Sequence, residues 1–476
     1  MLSRRDFLSA VSAAAALTTV PLPRAAMAAT TSVTLTPAPA SLPVMPGEKP
    51  TAVWAYNNRL PGPVLRLKQH DRLRAVLKNN LAQETTIHWH GLRLPNAMDG
   101  VPGLTQPPVK PGESFTYDFA CQDAGTFWYH PHAGNPEQVG RGLYGLLIVD
   151  EPNPPKVDRD VAWVLSDFRL DREAQITADF GNFMDATHAG RLGNVALNNG
   201  QLVQPFAVQA GERIRLRIVN TANARIFDLR FTDHAPWLVA LDGHPLDAPQ
   251  QLGPQDRVAL GPGMRADLIV DLNGEPGQRY AVLDRDMQGR EHRLTDFAYA
   301  DAPARPSKDR GAPAALAANP VAEPDLKNAE RLPLVLGGGM GVPYELQVDG
   351  GPVLDMRAAF QQHRMAWSLN GQAQSHSASA QGGGHHGHAP LFSLKRGRSY
   401  LIEAVNETSW PHPVHLHGHV FRVLGQPGRP WRDTVLLQPN EKAQLALLAD
   451  NPGQWMLHCH ILEHQAAGMM ATVSVI

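Results

Sequence analysis

One pattern recurs three times in this 476-residue chain and narrows its fold more than any other feature. Asp71–Asn80, Gly211–Asn220 and Gly397–Asn406 each alternate polar and apolar residues and end in Asn, as a half-buried strand does when it enters a turn. Each is followed downstream by a second turn-then-strand, at 111–115, 261–265 and 439–443. Recurrence of two such elements predicts three related β-sandwiches. The 41 Gly and 41 Pro suit the turns of an all-β chain, and no stretch sustains helical periodicity. Pro152-Asn153-Pro154-Pro155 and the Ala/Pro-rich run Ala302–Pro324 punctuate the chain. The expected units are 33–152, 156–301 and 331–476, with 302–330 a linker draped over the surface.

Residues 1–28 read as an export signal outside this fold. Arg4-Arg5 precedes Phe7-Leu8, a mild apolar run reaches Val20, and Ala26-Met27-Ala28 supplies a small-residue cleavage site. The arginine pair resembles the twin-arginine signal, whose machinery exports folded proteins; the expected location is the periplasm. No later segment is apolar and long enough to anchor the mature chain in a membrane. With 43 basic and 45 acidic residues there is no cationic excess for nucleic acid.

The chemistry lies in 21 His and 2 Cys. Cys121 and Cys459 could form one disulfide at most, and Cys459 sits between His458 and His460, which points to a metal thiolate. Histidines crowd four segments: His88-Trp89-His90-Gly91, His130-Pro131-His132, His412-Pro413-Val414-His415-Leu416-His417, and His458-Cys459-His460 with His464 and Met469. In a strand, residues i and i+2 share a face. His88, His90, His130, His132, His415, His417, His458 and His460 are thereby expected on one side. His412 and Cys459 fall on the other, with His464 and Met469 from the following turn. Two imidazoles, a thiolate and a weak thioether are the donor set of a blue-copper electron-transfer site. Eight imidazoles suit about three further ions with open positions, and nitrogen donors favour copper over calcium or magnesium.

These four segments resemble the copper signatures of the multicopper oxidases, the family of laccases and bacterial copper-resistance oxidases. The resemblance implies three cupredoxin-like Greek-key β-sandwiches, with a trinuclear copper cluster between the first and last. It implies four coppers per chain. His412, Cys459 and His464 would hold the type 1 ion, with Met469 axial. His88 and His415 would hold type 2, and His90, His130, His132, His417, His458 and His460 the type 3 pair. Electrons would pass along His458-Cys459-His460, and Asp99 would relay protons to dioxygen. Gln465 stands where bacterial relatives often carry Glu, which puts that part of the proton relay in doubt and leaves Glu463 as a substitute that parity does not support.

Other residues have humbler readings. His419 is expected to pack beside the ligands, Cys121 to be a buried small residue, and Trp410 either to face an organic substrate or to pack on Pro411. The low-complexity tract 375–388 holds His376, His385, His386 and His388, read either as a solvated loop or as a weak extra copper site. The expected activity is one-electron oxidation of a phenol or other aromatic donor coupled to reduction of dioxygen to water. The alternatives are oxidation of cuprous or other metal ions for copper tolerance, and a non-catalytic periplasmic copper-binding protein.

Overall fold

The computed structural model describes residues 28–134, 136–305, 310–375 and 389–476. The arginine pair and apolar run of the export signal, and His376, His385, His386 and His388, lie outside the described residues. The chain is all-β and builds three sandwiches. In the first, a three-stranded sheet (Thr30–Leu35, Arg72–Lys78, Ser114–Ala120) accompanies a four-stranded one (Gly62–Lys68, Gly145–Asp150, Gly125–His130, His88–His90). The middle sandwich has sheets of seven and five strands, the third of nine and five. Helices are short; the longest among the described residues is Met356–His363.

The recurrent stretch is the same strand three times. Arg72–Lys78, Arg213–Asn220 and Ser399–Asn406 each pair in parallel with Thr30–Leu35, Arg159–Phe168 and Glu330–Gly338 respectively. Each pairs antiparallel, on its other edge, with the strand that the second recurrent turn launches: Ser114–Ala120, Arg265–Asp271 and Lys442–Leu448. The Asn at the end of the strand is explained by its hydrogen bonds; in the first copy it is Asn79, one residue before the Asn80 that closes the sequence pattern. In Asn79, Asn220 and Asn406 the side-chain oxygen accepts the N–H two residues on, from Leu81, Ala222 and Thr408. Each side-chain amide donates to two carbonyls: Gln83 and Val109, Arg225 and Leu260, Trp410 and Leu437. An amide is the side chain that can do both at once.

The expectation of a half-buried strand holds only in the first sandwich. Arg213–Asn220 is buried on both faces, because its arginines turn into interfaces instead of water. Arg215 is held by Glu151 at 2.7 Å and Asp267 at 2.6 Å, and Arg217 by Asp160 at 2.7 Å. Charges taken this far from water need such partners.

Apolar packing brings the two ends of the chain together. One buried cluster runs from Leu35 and Trp89 of the first sandwich to Trp455 and Cys459 of the third, while the middle sandwich keeps its own around Trp163, Leu216 and Phe297. The stretch between Tyr299 and Glu330 forms no strand or helix among its described residues. Its Asn319 is pinned to Ala124 and Gly243, one from each of the first two sandwiches.

Candidate metal centre

Strand pairing fixes which donors meet. Gly453–Cys459 runs antiparallel to His412–Leu416 with Val414 opposite Cys459 and His415 opposite His458. Directly opposed residues point to the same face, so His412 and Cys459 lie on one side and His415 and His458 on the other. Parity therefore runs through Pro413 unbroken.

On the first side, Cys459 Sγ lies 3.4 Å from His412 Nδ1 and 3.8 Å from His464 Nδ1, and the two nitrogens are 3.1 Å apart. The helix Leu462–Ala466 delivers His464. Met469 is fully buried; its N–H donates to the His464 carbonyl and its own carbonyl accepts from the Cys459 N–H. The outer edges of both rings are engaged: His412 Nε2 donates to Thr408 Oγ1 at 2.8 Å and His464 Nε2 to the His188 carbonyl at 2.6 Å. Those bonds place the protons on Nε2 and leave both Nδ1 lone pairs facing the sulfur. Burial pushes His464 down to about 3 and His412 well below the usual imidazole range, and pushes the Cys459 thiol up. A bound cation is what would make the sulfur a thiolate there.

On the other side, buried imidazoles converge. Three trios have donor atoms within 4.8 Å of one another: His88, His90 and His415; His90, His130 and His460; His132, His417 and His458. His88 stacks on His417 and His90 on His415, each pair at 3.8 Å. The stacked rings join the first sandwich to the third. Nε2 of His88, His130, His132 and His415, Nδ1 of His90 and both nitrogens of His460 are buried without a hydrogen-bond partner. One such orphan is costly, and orphans on six clustered rings call for metal ions. Burial also holds His90, His130, His132, His417, His458 and His460 well below the usual imidazole range, so their lone pairs are available. An all-nitrogen set beside a sulfur set suits copper.

Two carboxylates flank these rings. Asp99, at the end of the turn Asn96–Met98, accepts from His417 Nδ1 at 2.9 Å, while its carbonyl accepts from His88 Nδ1 at 2.9 Å. Asp433, which the sequence did not single out, lies 3.2 Å from His90 Nε2, and its carbonyl accepts from His415 Nδ1 at 2.9 Å. Its neighbours Trp431, Arg432 and Thr434 carry no spacing signal that could have pointed to it.

The remaining candidates fall into place. Gln465 is fully buried, with its amide nitrogen 3.5 Å from His132 Nδ1 and its oxygen without a hydrogen-bond partner. Glu463 is pushed up to about 7 by burial, and its Oε1 accepts from Asn223 Nδ2 of the middle sandwich at 3.0 Å. His419 belongs to no trio and packs edge-on against Trp455 at 5.6 Å. Cys121 is a free buried thiol pushed up to about 12 by burial. Trp410 does more than pack on Pro411: its Nε1 donates to the Met340 carbonyl and its ring lies 5.5 Å from that of His188. Trp410, Pro411 and Leu436 line a cavity of ≈ 610 Å³ between the middle and third sandwiches, together with polar residues that include Asp228, Arg285 and Gln438.

Family models described as multicopper oxidase match residues 41–154, 168–300 and 352–476. The crystal structure of a multi-copper oxidase from Pseudomonas thermotolerans superposes with a TM-score of 0.80 at 36% identity, covering 94% of this chain and 100% of that one. The chain belongs to the multicopper oxidase family. Among curated relatives, multicopper oxidase MmcO of Mycobacterium tuberculosis is 29% identical over 94% of this chain and 87% of its own length. Copper resistance protein A of Escherichia coli is 27% identical, covering 88% of each. The protein is accordingly an oxidoreductase with copper as cofactor, and the donor sets above fit type 1, type 2 and type 3 sites. Among the described residues, no helix is long and apolar enough to cross a membrane.

Proposed function

We propose that this multicopper oxidase takes electrons singly from a phenolic or other aromatic donor and reduces dioxygen to water. His412, Cys459, His464 and Met469 are assigned to the type 1 copper. His88 and His415 are assigned to type 2, and His90, His130, His460 and His132, His417, His458 to the two type 3 ions. The observation that carries the assignment is the division of donors by strand parity into one sulfur-containing trio and three imidazole trios. Copper in these sets supplies one-electron acceptance from the donor and the four-electron reduction of dioxygen.

The protein's own part is holding and connecting. His458-Cys459-His460 joins the two donor sets through adjacent peptide bonds. Neither type 1 imidazole is exposed, so a donor works at one remove, against the residues that cover them. A cavity lined by apolar Trp410, Pro411 and Leu436 beside His412, and by polar Arg285 and Gln438, suits a ring bearing hydroxyls. Asp99 holds the His417 Nδ1 proton through Oδ2, while Oδ1 makes no hydrogen bond and lies 3.2 Å from His88 Nδ1, placing the carboxylate between two rings of the metal region where it can pass a proton to water.

Oxygen uptake with a methoxyphenol tests this reading. Cys459→Ser should lose both uptake and the blue absorption while circular dichroism stays native; a variant that remains blue refutes the ligand assignment. A second reading, oxidation of cuprous or other metal ions, draws on the similarity to copper resistance protein A. Turnover of cuprous ion but of no phenol would decide for it. Export to the periplasm by the twin-arginine machinery is part of the proposal, and Arg4→Lys with Arg5→Lys should strand the protein in the cytoplasm; undiminished export would refute that route.

A further inference from the structure

Among the described residues the middle sandwich supplies no donor to any trio, yet it reaches the imidazoles. Arg265 heads its strand Arg265–Asp271 and crosses to the third sandwich, where Nη1 and Nη2 donate to the two oxygens of Asp433 at 2.8 and 2.7 Å. Both residues are fully buried. Asp433 Oδ1 also faces His90 Nε2 of the first sandwich at 3.2 Å and accepts from Thr434 Oγ1 at 2.7 Å. Thr434 Oγ1 lies 3.1 Å from His415 Nδ1. One ion pair thus draws on all three sandwiches and ends on two imidazoles that stack on each other.

Two glycines record how close this approach is. A Cβ on Gly91, directly after His90, would lie 2.2 Å from Arg265 Nη2 and 2.6 Å from Asp433 Oδ2. A Cβ on Gly263, two residues before Arg265, would lie 2.8 Å from the His460 ring and 2.9 Å from the His90 ring. Both also have positive φ, +88° at Gly91 and +85° at Gly263, where glycine is favoured.

The consequence is chemical. His88, His130, His415 and His458 engage Nδ1 with carbonyls and His417 engages it with a carboxylate, which directs Nε2 toward the metal region. His90 alone among these bonded rings is held by Nε2, and its Nδ1 is the orphan. A carboxylate already gripped by a guanidinium can only accept, so it selects the tautomer with the proton on Nε2.

We propose that Arg265 and Asp433 are a positioning pair that fixes the tautomer of His90 and the orientation of His415, so that copper retention at the type 2 and type 3 sites depends on the middle sandwich. This rests on the ligand assignment above. Asp433 differs in this from Asp99, whose two oxygens face the imidazoles of His417 and His88 at 2.9 and 3.2 Å, with no guanidinium on them among the described residues.

The test uses copper-loaded protein dialysed against a chelator, with copper per chain, the type 2 electron paramagnetic resonance signal and the type 1 blue absorption as readouts. Asp433→Asn and Arg265→Met should keep the blue absorption while the type 2 signal changes and retention there weakens about 10–100-fold. Arg265→Lys, which keeps the charge but not the fork, should restore part of it. Unchanged retention and signal in both disruptive variants overturns the proposal. So does parallel loss of the blue absorption, which would mark a purely structural ion pair. If both disruptive variants fail to fold, Arg265→Lys decides: weaker type 2 retention with full blue absorption supports the pairing, and wild-type retention overturns it. A wild-type chain without a type 2 signal overturns the ligand assignment, and the pairing with it.

Discussion

Asp99 and Asp433 occupy matching positions and are built for different work. Each ties one imidazole of the first sandwich to one of the third, using a carboxylate oxygen for one ring and a backbone carbonyl for the other. Asp99 has one oxygen that makes no hydrogen bond and only faces His88 Nδ1 at 3.2 Å, which suits proton transfer; Asp433 has both oxygens on Arg265. Replacing Asp99 by Asn should lower kcat for oxygen uptake about 100-fold, the usual weight of a positioned proton donor, and leave the blue absorption untouched. Wild-type kcat in that variant would remove Asp99 from the proton path. Asp99 was legible because it follows a histidine motif closely. Asp433 was not, because it lies 343 residues from His90 in the chain and only folding brings them together.

At the level of elements, the terminal Asn of the recurrent strand is a clamp used three times, and its third use reaches the chemistry. Asn406 holds the Thr408 N–H and the Trp410 carbonyl, and Thr408 in turn accepts from His412. In the middle sandwich the same clamp, Asn220, touches no donor of the trios. Asn220→Ala and Asn406→Ala should each destabilise the protein by on the order of 3 kcal/mol, since each leaves buried backbone groups unpaired. Only Asn406→Ala should also shift the type 1 absorption. Guanidinium midpoints with visible spectra check both halves, and an equal spectral shift from Asn220→Ala would sink the contrast. Alternation along one strand shows period and face but not what the face meets. Hence the strands were foreseen, and the burial of Arg215 and Arg217 between sandwiches was not.

For the whole molecule, the metal region is an assembly of neutral imidazoles. His90, His130, His132, His412, His415, His417, His458, His460 and His464 all have pKa values lowered from 6.5, with burial the largest cause. As pH falls through about 6.5 the unfolded chain takes up protons that these folded rings refuse, so stability present above that pH is lost below it. Copper-stripped protein should show a guanidinium midpoint that drops steadily from neutral toward acid pH; a flat profile would refute the sign. The sequence by itself determined the three sandwiches, the four histidine-rich segments and the division of their donors between two faces, because strand periodicity and short-range spacing are local properties of the chain. Tertiary structure alone decided how the first and third sandwiches dock, which outer nitrogens are engaged, and that Arg265 reaches the imidazoles. Those contacts join residues far apart in sequence, and their geometry follows from how three surfaces pack, which no local pattern encodes.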